Sequence, residues 1–314
     1  MKQADLQPEF IIWTGYKGIS FTDCKTHVPK EELSTDVVIN AIANMTHTIR
    51  QFFPQLPVYP ALGNHNYWPQ DQLPTSANAI YDAVAKLWSP WLNPEAVATL
   101  QKGGFYSLVI KPGLRLVSLN TNLYYSPNQV TVNMTDPAGQ FQWLQGTLEL
   151  SRQKMEMVSI FCLILQGILI LERTQSYNEQ LVKIFRNYSD VVQGQFYGHT
   201  HRDSIMFCAS SKCGCSIASL LIISLSLFFP PKDIWQFYLN LTEANLEQRS
   251  KWKLEYIMTE AFDIDDIQPH SLHELALRFD YNLNLTCEGS CKTIQVCALH
   301  FLDQETYSET LHSS

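Results

Sequence analysis

The sequence predicts an α/β fold in which helices cover the faces of a central sheet. Short apolar runs that end in glycine or polar residues alternate with stretches whose apolar residues recur at helical spacing. Strands that alternate with helices are typical of sheets buried on both faces. In such folds the loops at the strand ends form the functional site, so polar groups that follow a strand are the first candidates for function.

Local signals place the elements of the first half of the chain. Ser34 or Thr35 can cap a helix that stops before Pro54. Pro112-Gly113 between two apolar runs predicts a hairpin. The predicted elements are, in order, a strand at 10–15, a helix at 34–53, a strand at 58–62, a helix at 80–91 and strands at 105–110 and 114–119.

The second half continues the alternation. The predicted elements are a helix at 141–148, a strand at 157–165, a helix at 181–188, a strand at 191–197 and a short helix at 269–279. The uncharged run 217–229 is shorter than the roughly twenty residues of a membrane span, so the sequence predicts no transmembrane segment there. It is interpreted as a buried strand pair or a misfit segment. The acidic stretch 263–266 predicts a solvated turn rather than a calcium site.

The run 58–66 joins an apolar strand to a tight glycine turn with polar groups at its tip. Asn64 offers an amide oxygen there and His65 offers a ring nitrogen. A second apolar run ends in glycine and then in His199 and His201. In extended backbone, residues two apart project to the same side, so both imidazoles are expected to reach one locus. Mixed nitrogen and oxygen ligands suit zinc or manganese.

Taken singly, each motif has an ordinary structural explanation. Two histidines in His-x-His spacing can be surface or hydrogen-bonded groups, and Gly-Asn-His after a strand can be a plain turn. Together, in this order along the chain, they resemble the motifs of the calcineurin-like metallophosphoesterases. Four further stretches resemble the acid sphingomyelinase-like phosphodiesterases within that superfamily: residues 67–74, 119–125, 194–204 and 238–246.

The resemblance implies a fold and an activity. The fold is a four-layer α/β/β/α sandwich, with a metallophosphoesterase domain at 1–235 and a small, mostly helical, cysteine-bearing region at 236–314. The activity is hydrolysis of nucleotide-type phosphodiester or phosphoanhydride bonds by a zinc-activated water. Family members hold two zinc ions. Asn64 and His199 would serve one ion and His201 the other, while His65 would sit by the leaving group.

The chain also departs from the family pattern. The motif Asp-x-His, which the resemblance places before Met1, does not occur, and Tyr16 follows Gly15 where the family has aspartate. Asn66 replaces a family aspartate. In the run 161–165 a leucine stands where a metal-binding imidazole is expected, so one or no zinc ion is expected in this chain. The region 207–233 also differs as a block, which suggests altered splicing or an imperfect gene model.

The missing aspartate has a candidate replacement in Asp23. The family pattern places this aspartate before His-Val-Pro with three residues between them, and Asp23 has this spacing from the intact His27-Val28-Pro29. The stretch 16–22 would then be an insertion, which costs little in loop-closure entropy. Asp23 is interpreted as a displaced metal ligand or as a solvated loop acid.

Composition limits the partners. A net charge of −8 without a Lys/Arg cluster argues against binding to a nucleic-acid polymer. The substrate is expected to be a small phosphoester or nucleotide, and no signal for an oligomeric state is present. Five N-x-S/T sequons predict glycosylation unless they are incidental, and begin at Asn44, Asn133, Asn187, Asn240 and Asn284.

Eight cysteines point in the same direction as the sequons. The spacing of Cys287 and Cys291 suits a local disulfide in a secreted protein or half of a metal knuckle in a cytosolic one. Sequons and cysteines together favour the secretory route, so a secreted or lysosomal location is expected. Met1–Asp5 has no apolar region, so no signal peptide is predicted in this sequence.

Three functional hypotheses remain open from sequence. The chain is an active metal-dependent phosphodiesterase, or a catalytically silent member that keeps the fold and binds a ligand or partner. The third hypothesis is a chain that does not fold stably, because losing an edge or central strand exposes apolar surface and unpaired backbone groups.

Overall fold

The computed structural model describes residues 8–14, 33–164, 172–199, 204–206, 216–218, 233–268, 270–272, 274–275 and 278. The strands are β1 (Ile11–Trp13), β2 (Val58–Pro60), β3 (Tyr106–Lys111), β4 (Leu114–Ser118), β5 (Met157–Cys162), β6 (Val192–Tyr197), β7 (Ser204–Met206), β8 (Ser216–Ala218), β9 (Trp235–Leu239) and β10 (Trp252–Ile257). The helices are α1 (Thr35–Phe52), α2 (Ala79–Trp88), α3 (Pro94–Gly103), α4 (Gln140–Gln153), α5 (Glu172–Asn187), α6 (Leu241–Glu247) and α7 (Met258–Phe262).

Two sheets organise the larger part of the fold. β1 and β2 pair in parallel, and α1 connects them. The second sheet has six strands in the order β3-β4-β5-β6-β8-β7. Its inner strands β4, β5, β6 and β8 are parallel, whereas β3 and β7 pair antiparallel at the two edges. The predicted α/β class is confirmed, with helices crossing between parallel strands as expected.

The helix ends follow the capping signals in the sequence. The Ser34 hydroxyl accepts a hydrogen bond from the Val37 amide and so begins α1. Asn93 caps α3, where Pro94 fills the first turn, and Gly104 ends that helix in the left-handed conformation. The sequence predicted α1, α2 and α4 but not α3. The hairpin of β3 and β4 turns at Pro112-Gly113, as predicted.

One hydrophobic core joins the two sheets. Its members include Tyr59 in the first sheet, Phe10 directly before β1, and Leu116, Ile160 and Phe196 in the second sheet. Such a shared core fixes the sheets against each other, because interiors of this kind are close-packed and resist sliding. The strand ends of the two sheets are therefore held in a defined relationship.

The region after residue 233 has its own small core, formed by Ile234, Met258, Ile264, Ile267, Leu272 and Leu275. It begins with β9 and β10, which pair antiparallel around α6. The sequence predicted helices here but not this two-stranded sheet. Of the apolar run 217–229, only its start falls within a described strand, β8, and the rest lies outside the described residues. Among the described helices, none combines the length and apolarity that a membrane crossing needs.

Candidate functional site

The carboxyl ends of β1, β2, β5 and β6 meet at one edge of the fold. The Ala61 amide donates to the Trp13 carbonyl at 2.7 Å, and the Gly198 amide donates to the Leu163 carbonyl at 2.9 Å. A Cβ atom on Gly198 would lie 3.0 Å from the Thr14 hydroxyl oxygen and 3.3 Å from the Leu163 side chain. Glycine at 198 thus permits the close approach that joins the strand ends of both sheets.

The tip loop, residues 63–72, follows β2 at this edge. Asn64 is buried, and its Nδ2 donates to Asp71 Oδ1 at 2.8 Å. The Asp71 amide donates back to the Asn64 carbonyl at 3.1 Å, while Asp71 itself has a φ of 66°. A carboxylate accepts hydrogen bonds only, so the amide nitrogen of Asn64 must face Asp71. Its Oδ1 then remains as the atom that can ligate a cation.

Asn66 closes the turn around His65. The Gly63 amide donates to Asn66 Oδ1 at 2.7 Å, and the Asn66 amide donates to the Gly63 carbonyl at 2.9 Å. Nδ2 of Asn66 is buried and has no hydrogen-bond partner within the described part of the chain. The oxygen of Asn66 performs a role that either Asn or Asp can fill. Its nitrogen is the atom that distinguishes Asn66 from the aspartate that the family pattern leads us to expect here. The neighbouring residue in the sequence, His65, is half-buried.

His199 reaches the same edge from β6. Its backbone is left-handed, with φ at 77°, so the extended geometry of the strand ends before it. Strand alternation therefore does not extend through His199, and the expectation that His199 and His201 reach one locus stays a prediction. His201 lies outside the described residues, and its role stays a prediction.

Tyr125 connects His199 to the tip loop. The rings of Tyr125 and His199 meet edge to face, with centroids 5.4 Å apart and an interplanar angle of 78°. Burial and, to a lesser degree, the negative charge of Asp71 raise the pKa of the Tyr125 hydroxyl. Asp71 in turn holds Asn64. Asp71 therefore contacts the predicted residue Asn64, and Tyr125 contacts the predicted residue His199. Neither Asp71 nor Tyr125 was predicted as a site residue.

The end of β5 contributes apolar groups to this edge. Leu163 is 8% exposed and lies against Gly198, at the strand end where the family pattern expects an imidazole. The next residue, Ile164, donates its amide to the Thr121 hydroxyl at 3.0 Å. Burial raises the pKa of the Cys162 thiol to about 12, so this cysteine stays protonated and is no nucleophile.

Buried amide side chains form hydrogen bonds that support the tip loop. Asn120, Asn122, Asn128 and Gln140 are each at most 1% exposed, and they belong to the loop after β4 or to the start of α4. Asn122 Nδ2 donates to the Leu62 carbonyl at 2.9 Å, directly before the tip loop. The pattern Asn120-Thr121-Asn122 after a strand was a readable signal for these groups, although their partners lie far away in sequence.

The other predicted residues divide into two groups. Asp23, Asn284, Cys287 and Cys291 lie outside the described residues, so their predicted roles stay predictions. The sequon asparagines Asn44, Asn133, Asn187 and Asn240 are all exposed. Within the described ranges, no group of three or more His, Cys, Asp or Glu side chains is placed to hold a metal ion.

Comparison with known proteins places the chain among named relatives. Residues 223–284 and 279–314 match the family described as "Acid sphingomyelin phosphodiesterase C-terminal region". The human protein named cyclic GMP-AMP phosphodiesterase SMPDL3A is 46% identical over 358 residues, which cover 99% of this chain and 77% of that protein. Mouse acid sphingomyelinase-like phosphodiesterase 3b is 34% identical over 99% of this chain and 77% of its own length.

A solved dimetal phosphatase from Danio rerio is similar with a TM-score of 0.34 and 14% identity, covering 70% of this chain and 90% of that one. A similarity this small carries no weight beside the sequence relatives. Because those relatives extend over almost the whole chain, the chain belongs to the acid sphingomyelinase-like phosphodiesterase family.

Proposed function

We propose that this protein hydrolyses phosphodiester or phosphoanhydride bonds of small nucleotide-type substrates at the edge where the tip loop meets His199. The relatives named as phosphodiesterases support the reaction class, and the name of the human relative supports a nucleotide-type substrate. The observation that carries the proposal is the junction of the strand ends that lead into Asn64 and His199. There the Ala61 amide donates to the Trp13 carbonyl, the Gly198 amide donates to the Leu163 carbonyl, and Gly198 lies close to Thr14. Two strand-end loops with potential ligands thus share one locus.

The donor atoms at this locus fit a divalent metal in part. Asn64 Oδ1 and a ring nitrogen of His199 would hold one ion, and Asp23 and His201 are the further ligands that the sequence offers. Nitrogen and oxygen donors of this kind suit zinc. When bound, the metal supplies a nucleophilic water and neutralises charge on the phosphoryl oxygens. Leu163 cannot ligate, which supports one ion rather than the two of the family.

His65 would act on the leaving group. Its imidazole is half-buried at the turn of the tip loop, next to the candidate ligand Asn64. The turn that holds it is closed by two hydrogen bonds between Gly63 and Asn66. From this position the ring can donate a proton to the departing oxygen, as a general acid does.

The buried Leu163 favours a second candidate function. In this alternative the chain is a catalytically impaired member of the family that keeps the fold as a secreted glycoprotein. Four exposed sequon asparagines support glycosylation, and with it a secreted or lysosomal location. A mass shift on enzymatic removal of N-glycans from the secreted full chain would test that location. Retention of an unglycosylated chain inside the cell would contradict it.

Metal content and turnover together separate the two functions. Purified protein is analysed for zinc, and hydrolysis of bis(4-nitrophenyl) phosphate and of cyclic GMP-AMP is followed for the parent chain, His199→Ala and His65→Ala. The enzyme proposal expects zinc and turnover in the parent, loss of both in His199→Ala, and loss of turnover alone in His65→Ala. A stable, folded parent without turnover at saturating zinc would favour the impaired glycoprotein.

A further inference from the structure

The tip loop is attached to the rest of the fold at both of its ends by one other segment. At its start, the Leu62 carbonyl accepts from Asn122 Nδ2 at 2.9 Å. At its end, the Leu73 carbonyl accepts from Asn128 Nδ2 at 2.9 Å. Both asparagines belong to the segment 120–129, and both are at most 1% exposed. Two buried side-chain amides therefore hold the backbone at both ends of the tip loop.

The two asparagines are also joined to each other. Asn128 Nδ2 donates to the Asn122 carbonyl at 3.0 Å in addition to Leu73. Asn122 Nδ2 donates in addition to Asn120 Oδ1 at 2.9 Å. A displacement of one amide is thereby transmitted to the other, since buried hydrogen-bonded networks act as a unit.

Further contacts anchor this pair of asparagines to rigid parts of the fold. Asn120 Nδ2 donates to the Tyr81 hydroxyl and to the Gly103 carbonyl, each at 3.0 Å. The backbone amide of Asn120 donates to Gln140 Oε1 at 2.7 Å. Helices α2, α3 and α4 thus hold the base of the segment, and a rigid base is what a loop needs to keep its side chains in one orientation.

The end of the tip loop has a second attachment of the same kind. Gln72 Nε2 donates to the Pro127 carbonyl at 2.7 Å, and the Gln129 amide donates to Gln72 Oε1 at 3.0 Å. The segment 120–129 also carries Tyr125, which contacts His199. One segment therefore touches both loops of the proposed site.

We infer that Asn122 and Asn128 form an amide clamp that positions Asn64 and His65 of the tip loop. They are positioning residues, because they act through the loop and not on a substrate. Only the role of the tip loop in binding and catalysis rests on the proposed function. The mechanical role of the clamp follows from hydrogen bonds that exist without substrate or metal. Positioning of this kind matters because small misplacements of catalytic groups reduce rates strongly.

The test uses the full chain without substrate or added metal. Hydrogen exchange is measured at the backbone amides of Gly63 and Asn66. The NMR signal of the Asn64 side-chain amide, which donates to Asp71, is measured as well. Asn122→Ala and Asn128→Ala are expected to speed exchange at both amides roughly tenfold, the effect of losing one buried hydrogen bond. Both should also shift the Asn64 signal.

Asn93→Ala is the matched control. It removes another side-chain amide, one that caps α3 and lies away from the tip loop. The Oδ1 atom of Asn93 accepts a hydrogen bond from the backbone amide of Ala96 at 2.8 Å. It is expected to leave Gly63, Asn66 and the Asn64 signal unchanged. The double variant Asn122→Ala/Asn128→Ala should show less than the product of the two single effects, because linked residues are not additive.

The inference is overturned if Asn122→Ala and Asn128→Ala change these amides no more than Asn93→Ala does. Asn122→Thr, which keeps the side-chain volume and removes the amide donor without burying a charge, carries the test if the alanine variant does not fold. Turnover gives a separate result. If the parent chain hydrolysed no substrate, the proposed enzyme would be overturned but the clamp would not. If the parent were active and hydrogen exchange in the variants were unaltered, the clamp would be overturned but the proposed enzyme would not.

Discussion

Tyr125 and His199 meet edge to face with their ring centroids 5.4 Å apart. His199 has a left-handed backbone, which costs a residue with a side chain about 1–2 kcal/mol. An edge-to-face ring contact contributes roughly 0.5–1.5 kcal/mol and so offsets much of that cost. The direction of the candidate ligand His199 is therefore coupled to a tyrosine on another loop.

Tyr125→Ala is expected to weaken zinc binding about tenfold, as the loss of a group that orients a metal ligand does. Tyr125→Phe keeps the ring that contacts His199 and is expected to bind zinc like the parent. Isothermal titration with zinc measures both variants. Equal weakening in the phenylalanine variant would assign the effect to the hydroxyl and contradict the ring contact as its cause.

Leu163→His is expected to increase zinc content by about one ion per chain, because it places an imidazole at the strand end beside Gly198. Leu163→Met is the control, since it conserves volume, adds no imidazole and costs less than about 1.5 kcal/mol. Zinc per chain is measured by mass spectrometry of the dialysed protein. The same zinc content in both variants would show that the end of β5 does not face the metal locus.

Much of the fold was predictable because its signals are local. Ser34 begins α1 and Pro112-Gly113 turns the hairpin through contacts within a few residues. α3 was missed because it buries few apolar side chains, Ala96 and Leu100, so its periodicity is weak. Its capping residues were nevertheless present in the sequence. Pairing of β9 with β10 was missed because α6 lies between the two strands.

The position of the candidate residues Asn64 and His199 after strands was predictable, whereas the side chains that support them were not. Glycine followed by polar residues after a strand indicated both Asn64 and His199. His199 has a left-handed backbone and its ring contacts Tyr125, which lies 74 positions earlier in the sequence, so no local pattern encodes the contact. The hydrogen bond from Asn122 to Leu62 spans 60 positions of the sequence, so periodicity and turn rules could not reveal it.

Cys162 is expected to resist alkylation in the folded chain. Burial raises its pKa from 9.0 to about 12, so at pH 8 roughly a thousandfold fewer thiolates exist than in the unfolded chain. Peptide mapping after iodoacetamide treatment should show Cys162 unlabelled in buffer and labelled in urea. Comparable labelling rates in the two conditions would contradict its burial.

The same shift predicts how stability depends on pH. The folded state holds the thiol proton more tightly, so the stability contribution of Cys162 is complete below pH 9 and is lost as pH rises toward 12. Cys162→Ala removes this contribution to the pH dependence. Its free energy of unfolding should therefore fall less steeply than that of the parent between pH 9 and pH 11, as urea titrations can measure. Parallel curves would contradict the raised pKa.

Gly104 and Gly113 offer a comparison between backbone strain and steric conflict. Both have φ at 78°, so an added Cβ costs each of them about 1–2 kcal/mol. At Gly104 that Cβ would lie 2.7 Å from Asn120 Nδ2 and 2.8 Å from a Leu62 methyl group. At Gly113 no described atom lies within 4 Å of it. The two positions differ only in what surrounds them.

Gly104→Ala is expected to lower the free energy of unfolding by roughly 1–3 kcal/mol more than Gly113→Ala, the usual cost of overpacking. It should also disturb the tip loop, because the two groups in its way are Asn120, which supports the amide clamp, and Leu62, which the clamp holds. Urea unfolding measures the first effect, and hydrogen exchange at Gly63 measures the second. If both variants lost the same stability, the space beside Gly104 would be larger than the contacts indicate. If Gly104→Ala lost more stability while exchange at Gly63 stayed unchanged, the support that Asn120 gives to the clamp would be refuted.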